Sequence, residues 1–168
     1  VHEIGYDLLM RHGLKLGIIA LEDTRVEVGL RYLSLYLNKR LVLGDLEDVL
    51  EEDYDEACDK TIGNGNFFMY DHFGSLASDN LIEKIMYLAA GCECDFIIFD
   101  HISIAVSGNA SASERKDIDA LMTNLASIAK GYNIGIIIVT HLRKAEGTPH
   151  EEGGKVRTND LRGTNSIL

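Results

Sequence analysis

Apolar and polar positions fall in blocks whose period switches repeatedly between that of a helix and that of a strand. Residues His2 to Arg11 read as a helix ended by Gly13, and Lys15 to Leu21, Lys-Leu-Gly-Ile-Ile-Ala-Leu, reads as a buried strand. Thr24 with Glu27 three residues on has capping-box spacing. Val28, Leu30, Leu33, Leu35 and Leu37 then supply the apolar face of a helix reaching Asn38. The acidic segment from Asp45 predicts another helix, closed by the turn Gly63-Asn64-Gly65, and Asn66 to Tyr70 predicts a short strand.

The second half repeats the alternation. Ser78 or Asp79 can cap a helix carrying Leu81, Ile82, Ile85, Met86 and Leu88. Asp95 to Ile104, Asp-Phe-Ile-Ile-Phe-Asp-His-Ile-Ser-Ile, is an apolar strand that delivers Asp100 to its carboxyl end. A Gly/Ser/Ala loop from Ser107 to Ser113 precedes helical spacing at Ile118, Leu121, Met122, Leu125, Ile128 and Ala129. Ile134 to Thr140 then predicts a last strand, ending at His141. Four strands joined by helical crossovers imply an α/β class with a mainly parallel sheet flanked by helices. Leu142 to Asp160, with Gly147, Pro149, Gly153 and Gly154 and no periodic pattern, predicts a long irregular loop.

Composition narrows this picture to one domain. The 168 residues are 46% hydrophobic, enough for a packed core, and no apolar run is long enough to span a bilayer. The opening Val1-His2-Glu3-Ile4 has no signal-peptide character, so a cytoplasmic location is expected. Cys92-Glu93-Cys94 is spaced too closely for an ordinary zinc pair, and with Cys58 the thiols are expected to be buried and reduced. The net charge of −11 argues against nucleic acid until it is located. Its excess sits between Asp45 and Asp59, a stretch without Lys or Arg that reads as a solvated face. Arg143, Lys144, Lys155, Arg157 and Arg162 gather towards the C-terminus, where a local positive field can meet phosphate.

Candidate chemistry lies at three strand tips. Glu22, Asp100 and His141 each follow an apolar strand, so in a parallel sheet all three share the edge where open α/β sheets bind ligands. Asp100 suits a hydrated Mg²⁺ shell, Glu22 the orientation or deprotonation of a water, and His141 a hydrogen bond to a terminal phosphate. The bland readings stand beside these. Glu22-Asp23 can serve simply as the acidic start of a helix, and a histidine after a strand can be structural. His101, directly after Asp100, is taken as one that need not be catalytic, and His2, His12 and His72 as structural.

These residues carry a specific resemblance. The Asp95 to Ile104 strand, Glu114-Arg115-Lys116 with Ile118-Asp119 and Leu121-Met122-Thr123, His141-Leu142-Arg143, His150-Glu151-Glu152-Gly153 and Asp160-Leu161-Arg162-Gly163 run in the order and spacing of one family. The chain resembles the helicase domain of phage replicative primase-helicases, with the mitochondrial helicase Twinkle and bacterial DnaB-type helicases as more distant relatives. The resemblance implies a RecA-like nucleotide-hydrolysing core over residues 1–168. It also implies a homo-oligomeric ring, a hexamer or heptamer, that binds ATP or dTTP with Mg²⁺ between subunits. That ring translocates on single-stranded DNA and unwinds forked duplex DNA beside primase and DNA polymerase in a phage-infected bacterial cell. By position it makes Glu22 the catalytic glutamate, Asp100 the Walker B aspartate and His141 the phosphate sensor. Arg143, Lys144 and His150 fall in one channel loop, and Lys155, Arg157, Arg162 and Gly163 in or beside the next DNA-contacting segment. Thr164-Asn165-Ser166 departs from the small, Gly-containing run of that family, and Leu168 stands where some members carry a basic residue.

No Gly-x-x-x-x-Gly-Lys-Ser/Thr motif occurs in the chain. The resemblance places Val1 a few residues after that phosphate loop and Leu168 before the family's arginine finger. A fragment, inactive alone, is therefore expected. Two other classes share parts of the pattern: a RecA-like recombinase-type ATPase, which would keep the strand-tip acids, and a non-catalytic DNA-binding or assembly module, which would need only the basic loop.

Overall fold

The structure is a computed structural model that describes residues 1–71, 78–102, 114–141 and 152–155. Helix α1 (His2–Met10) leads into strand β1 (Leu16–Ala20), helix α2 (Arg25–Leu37), two short 3-10 turns (Leu41–Leu43 and Asp45–Asp48) and helix α3 (Glu51–Lys60). Strand β2 (Phe67–Tyr70) and helix α4 (Ser78–Met86) follow, with α4 running into a π-helical turn (Tyr87–Gly91). Strand β3 (Phe96–Asp100), helix α5 (Glu114–Tyr132) and strand β4 (Gly135–Ile138) complete the described elements.

All described strand pairs are parallel, in the order β2-β1-β3-β4. The period-2 geometry of a strand then sends alternate residues to opposite layers. Ile19, Ile97 and Phe99 face one layer, where they meet Leu81 and Ile85 of α4 and Ile118, Leu121 and Leu125 of α5. Leu16, Ile18, Ala20 and Ile98 face the other, against Leu9 of α1 and Val28 and Tyr32 of α2. Every β1 residue is buried, whereas β2 and β4 are half-buried along their length. The continuous apolar runs of the sequence are thus explained by helices on both faces.

Tyr32 anchors the α1/α2 layer. Its ring is fully buried edge-on against Phe67, with centroids 4.7 Å apart. Gly5 makes room for it, since a Cβ there would meet the Tyr32 hydroxyl and come 2.8 Å from Ile98 Cδ1. Burial pushes the Tyr32 phenol well above its ordinary range.

Three details differ from the sequence reading. The acidic segment is two elements, because Val49 and Leu50 are extended; α3 begins only at Glu51, with Glu51, Glu52 and Asp53 at the positive end of its dipole. The last strand stops at Ile138 rather than Thr140, although Val139 N–H still donates to the Phe99 carbonyl at 2.9 Å. Of the thiols, only Cys94 is fully buried, while Cys58 and Cys92 are part-buried; all are free. Burial pushes the Cys94 thiol up to about 12. The acidic face of α3 is solvated as expected, with Ala57 its one buried residue. Among the described residues, no helix is long and apolar enough to cross a membrane.

Candidate functional site

The parallel register brings the carboxyl ends of β1, β3 and β4 to one rim. Ala20 pairs with Asp100 and Phe99 with Ile138. Single hydrogen bonds then extend the ladders past the strand ends: Leu21 N–H donates to the Asp100 carbonyl at 2.7 Å, and Ile102 N–H to the Val139 carbonyl at 3.1 Å. On the far side of Glu22 the chain is held by the α2 cap. Glu27 N–H donates to Thr24 Oγ1 at 3.3 Å and Thr24 N–H to Glu27 Oε2 at 2.8 Å, the reciprocal pair that the sequence spacing predicts. Glu22 therefore sits in a bend fixed at both ends, by a buried strand before it and a capped helix after it.

Glu22 and Asp23 divide the two readings of their dipeptide between them. Asp23 accepts from Arg31 Nη2 at 3.1 Å and lies 3.6 Å from His2 Nε2, which ties it to α1 and α2. Burial, then Arg31, lowers the His2 pKa, so this pair is not a strong ion pair. Glu22 turns the other way. Its Oε1 lies 2.9 Å from His101 Nε2 and its Oε2 4.0 Å from His141 Nε2, and the two imidazoles lean on each other with centroids 4.0 Å apart and planes at 38°. Glu22 and His141 are half exposed, while His101 is 3% exposed.

An ionised carboxylate can only accept, so His101 Nε2 carries the proton in its bond to Glu22. In the neutral ring Nδ1 is then an unprotonated nitrogen, and this atom is buried without a partner. His101 thus positions the Glu22 carboxylate from below and supports the His141 ring from the side. Sequence reasoning set it aside as a neighbour of Asp100. Its signal was one of register: one step beyond Asp100 on β3, it stands beside both flanking strand tips.

Asp100 occupies the same rim, half-buried. Burial raises its carboxyl above the ordinary carboxylate value, opposed by His101 and His2 and reinforced by Asp23 and Glu22. A half-desolvated acid with two further acids nearby gains from a divalent cation, so the environment of Asp100 fits a hydrated Mg²⁺. Of the expected DNA contacts, Lys155 is described and exposed. Arg143, Lys144, His150, Arg157, Arg162 and Gly163 lie outside the described residues, as does His72. His12 pairs with Asp7 on the surface at 3.5 Å, away from the rim.

Comparison with known proteins gives this geometry a context. No family model matches the chain. It is 36% identical over 161 residues to a "DNA helicase/primase" of Enterobacteria phage T3, an alignment covering 94% of this chain and 28% of that protein. The chain thus spans little more than a quarter of the length of this curated relative. Among solved structures, it is similar to an isolated ATPase domain at a TM-score of 0.77 and 14% identity, covering 99% of this chain and 59% of that one. A second similar fold is a DnaB-like replicative helicase, solved in a study of its interactions with primase, at a TM-score of 0.72 and 14% identity. That match covers 93% of this chain and 38% of the other. The fold is the RecA-like one of these helicase ATPase domains, and the chain is a homologue of the phage DNA helicase/primase.

Proposed function

We propose that this homologue of a phage DNA helicase/primase is the nucleotide-hydrolysing core of a replicative DNA helicase, and that its sheet rim is the hydrolytic site. The observation that carries the proposal is the meeting of Glu22 and His141 at 4.0 Å, on the edge that also presents Asp100. In this reading Glu22 orients and deprotonates the attacking water. His101 is the positioning residue that aims its carboxylate. His141 donates a hydrogen bond to the terminal phosphate, where negative charge grows during transfer. Asp100 holds the hydration shell of Mg²⁺, which when bound neutralises charge on the bridged phosphate oxygens of ATP or dTTP.

Coupling to DNA follows from chain order. His141 is joined directly to Leu142-Arg143, the start of the segment that carries Lys144, His150, Lys155, Arg157, Arg162 and Gly163. A histidine that gains or loses a phosphate partner moves the root of a basic segment, and cations there track a single strand through its phosphates without reading bases. The working assembly is a homo-oligomeric ring on single-stranded and forked DNA, with primase as a partner, acting in the cytoplasm of an infected bacterium. The 168 residues contain no phosphate-loop motif, so on their own they are expected to show no DNA-stimulated hydrolysis of ATP or dTTP above background. The test is forked-duplex unwinding by the full-length parent protein carrying Glu22→Gln, Asp100→Asn or His141→Ala. Loss of unwinding with single-stranded DNA binding retained supports these roles. Unwinding at the unsubstituted rate in all three variants overturns them.

A further inference from the structure

The rim holds a donor set that nucleotide hydrolysis does not require. Carboxylate and imidazole atoms of Glu22, His101 and His141 all lie within 4.8 Å of one another. Two imidazoles and one carboxylate are a known set for catalytic zinc, with water in the remaining position. A tetrahedral ion with bonds of about 2.0–2.2 Å places its ligand atoms roughly 3.4 Å apart. The present separations of 2.9 Å and 4.0 Å from Glu22 bracket that value. We propose that Glu22, His101 and His141 form a binding site for a borderline divalent transition metal such as Zn²⁺, distinct from the hydrated Mg²⁺ at Asp100.

Three features support metal capture over a simple hydrogen-bonded cluster. His101 is packed and nearly inaccessible, so one ligand is fixed in advance, while Glu22 and His141 are half exposed and free to close by the remaining ångström or so. Their exposure also gives the ion an entry path and room for a water ligand. Finally, the donor types discriminate: imidazole nitrogen favours Zn²⁺, Ni²⁺ and Cu²⁺, whereas Mg²⁺ demands oxygen ligands in near-ideal octahedral geometry.

One feature opposes it and sets the strength. Ligation through Nε2 of His101 moves its proton to Nδ1, which is buried without an acceptor. Metal-bound histidines normally donate that N–H to a partner, and losing such a partner lowers affinity by about 10–100-fold. Micromolar rather than nanomolar binding is therefore expected, tight enough to respond to metal excess and weak enough to reverse. A bound ion would hold Glu22 and His141 away from water and phosphate; this consequence rests on the proposed function, whereas binding does not.

The experiment is calorimetric titration of the untagged 168-residue chain with Zn²⁺, paired with the visible absorption of its Co²⁺ form. One ion should bind per chain, with Co²⁺ bands of nitrogen and oxygen ligation and no thiolate charge-transfer band. Glu22→Gln and His141→Ala, both on exposed side chains, should each weaken binding by at least about 10-fold, the loss seen when metal-site partners are removed. Cys92→Ser and His12→Ala should leave it unchanged. The proposal is overturned by unaltered Zn²⁺ affinity in both rim variants, by a thiolate band or a loss confined to Cys92→Ser, or by no binding at all.

Discussion

The two central strands and the two outer ones support the rim very differently. β1 and β3 pack between both helical layers, and β1 has no exposed residue. β2 and β4 are half-buried throughout and form the edges among the described residues. Glu22, Asp100 and His101 stand on the central pair, whereas His141 stands on β4. The site is thus built from a fixed half, which holds the acids, and a more compliant half, which holds the histidine facing phosphate. Local stability follows buried apolar contact, so the division matches the work proposed for each: acids that must stay aimed, and a sensor that must move.

Core truncation should show the largest contrast. Ile98→Ala, at the fully buried centre of β3, is expected to cost about 2–5 kcal/mol in urea denaturation, and Ile137→Ala in β4 to fall at or below the lower end of that range. Equal losses would erase the distinction between the halves. Glycine substitutions sharpen it further. Gly5→Ala forces a methyl against Tyr32 and Ile98 and should destabilise by about 1–3 kcal/mol. Gly131→Ala, on the helix leading to β4 with open space around it, should stabilise by about 0.5–1 kcal/mol.

A smaller effect concerns Asp100. Its folded carboxyl titrates above the ordinary value of 3.8, so the folded state binds the proton more tightly than the unfolded one. Stability is therefore highest below that ordinary value and falls as pH rises through the elevated one. Asp100→Asn should raise the melting temperature at neutral pH, with a smaller gain in acid, while removing the proposed Mg²⁺ ligand. A variant that melts lower at neutral pH would show that the carboxylate is stabilised by its surroundings instead. Least visible is the buried thiol. Cys94, pushed up to about 12, should resist alkylation in the folded chain at mildly basic pH and react on unfolding.

Much of this arrangement could be read along the chain, because it depends on local periods and short offsets. The two-sided burial of β1 and β3, the Thr24/Glu27 cap and the ends of most helices follow directly from residue order. Convergence of Glu22 and His141 followed once the strands were taken as parallel. What escaped notice depends on contacts between distant residues. His101 is near Glu22 because adjacent strands stand in register, across a separation of 79 residues, and nothing in its immediate neighbours distinguishes it from a structural histidine. The π-helical turn at Tyr87–Gly91, marked by Cys92 N–H donating to the Tyr87 carbonyl at 3.0 Å, likewise has no signature in local hydrophobic spacing.

The central claim is that Glu22, aimed by His101, serves the hydrolytic step. Single-stranded-DNA-stimulated nucleotide hydrolysis by the full-length parent protein, unsubstituted and with Glu22→Gln, tests it most directly. A fall of about 10²–10⁴-fold, the usual contribution of a positioned general base, with DNA affinity unchanged, is the predicted result. Hydrolysis by the Glu22→Gln protein at the unsubstituted rate would contradict it.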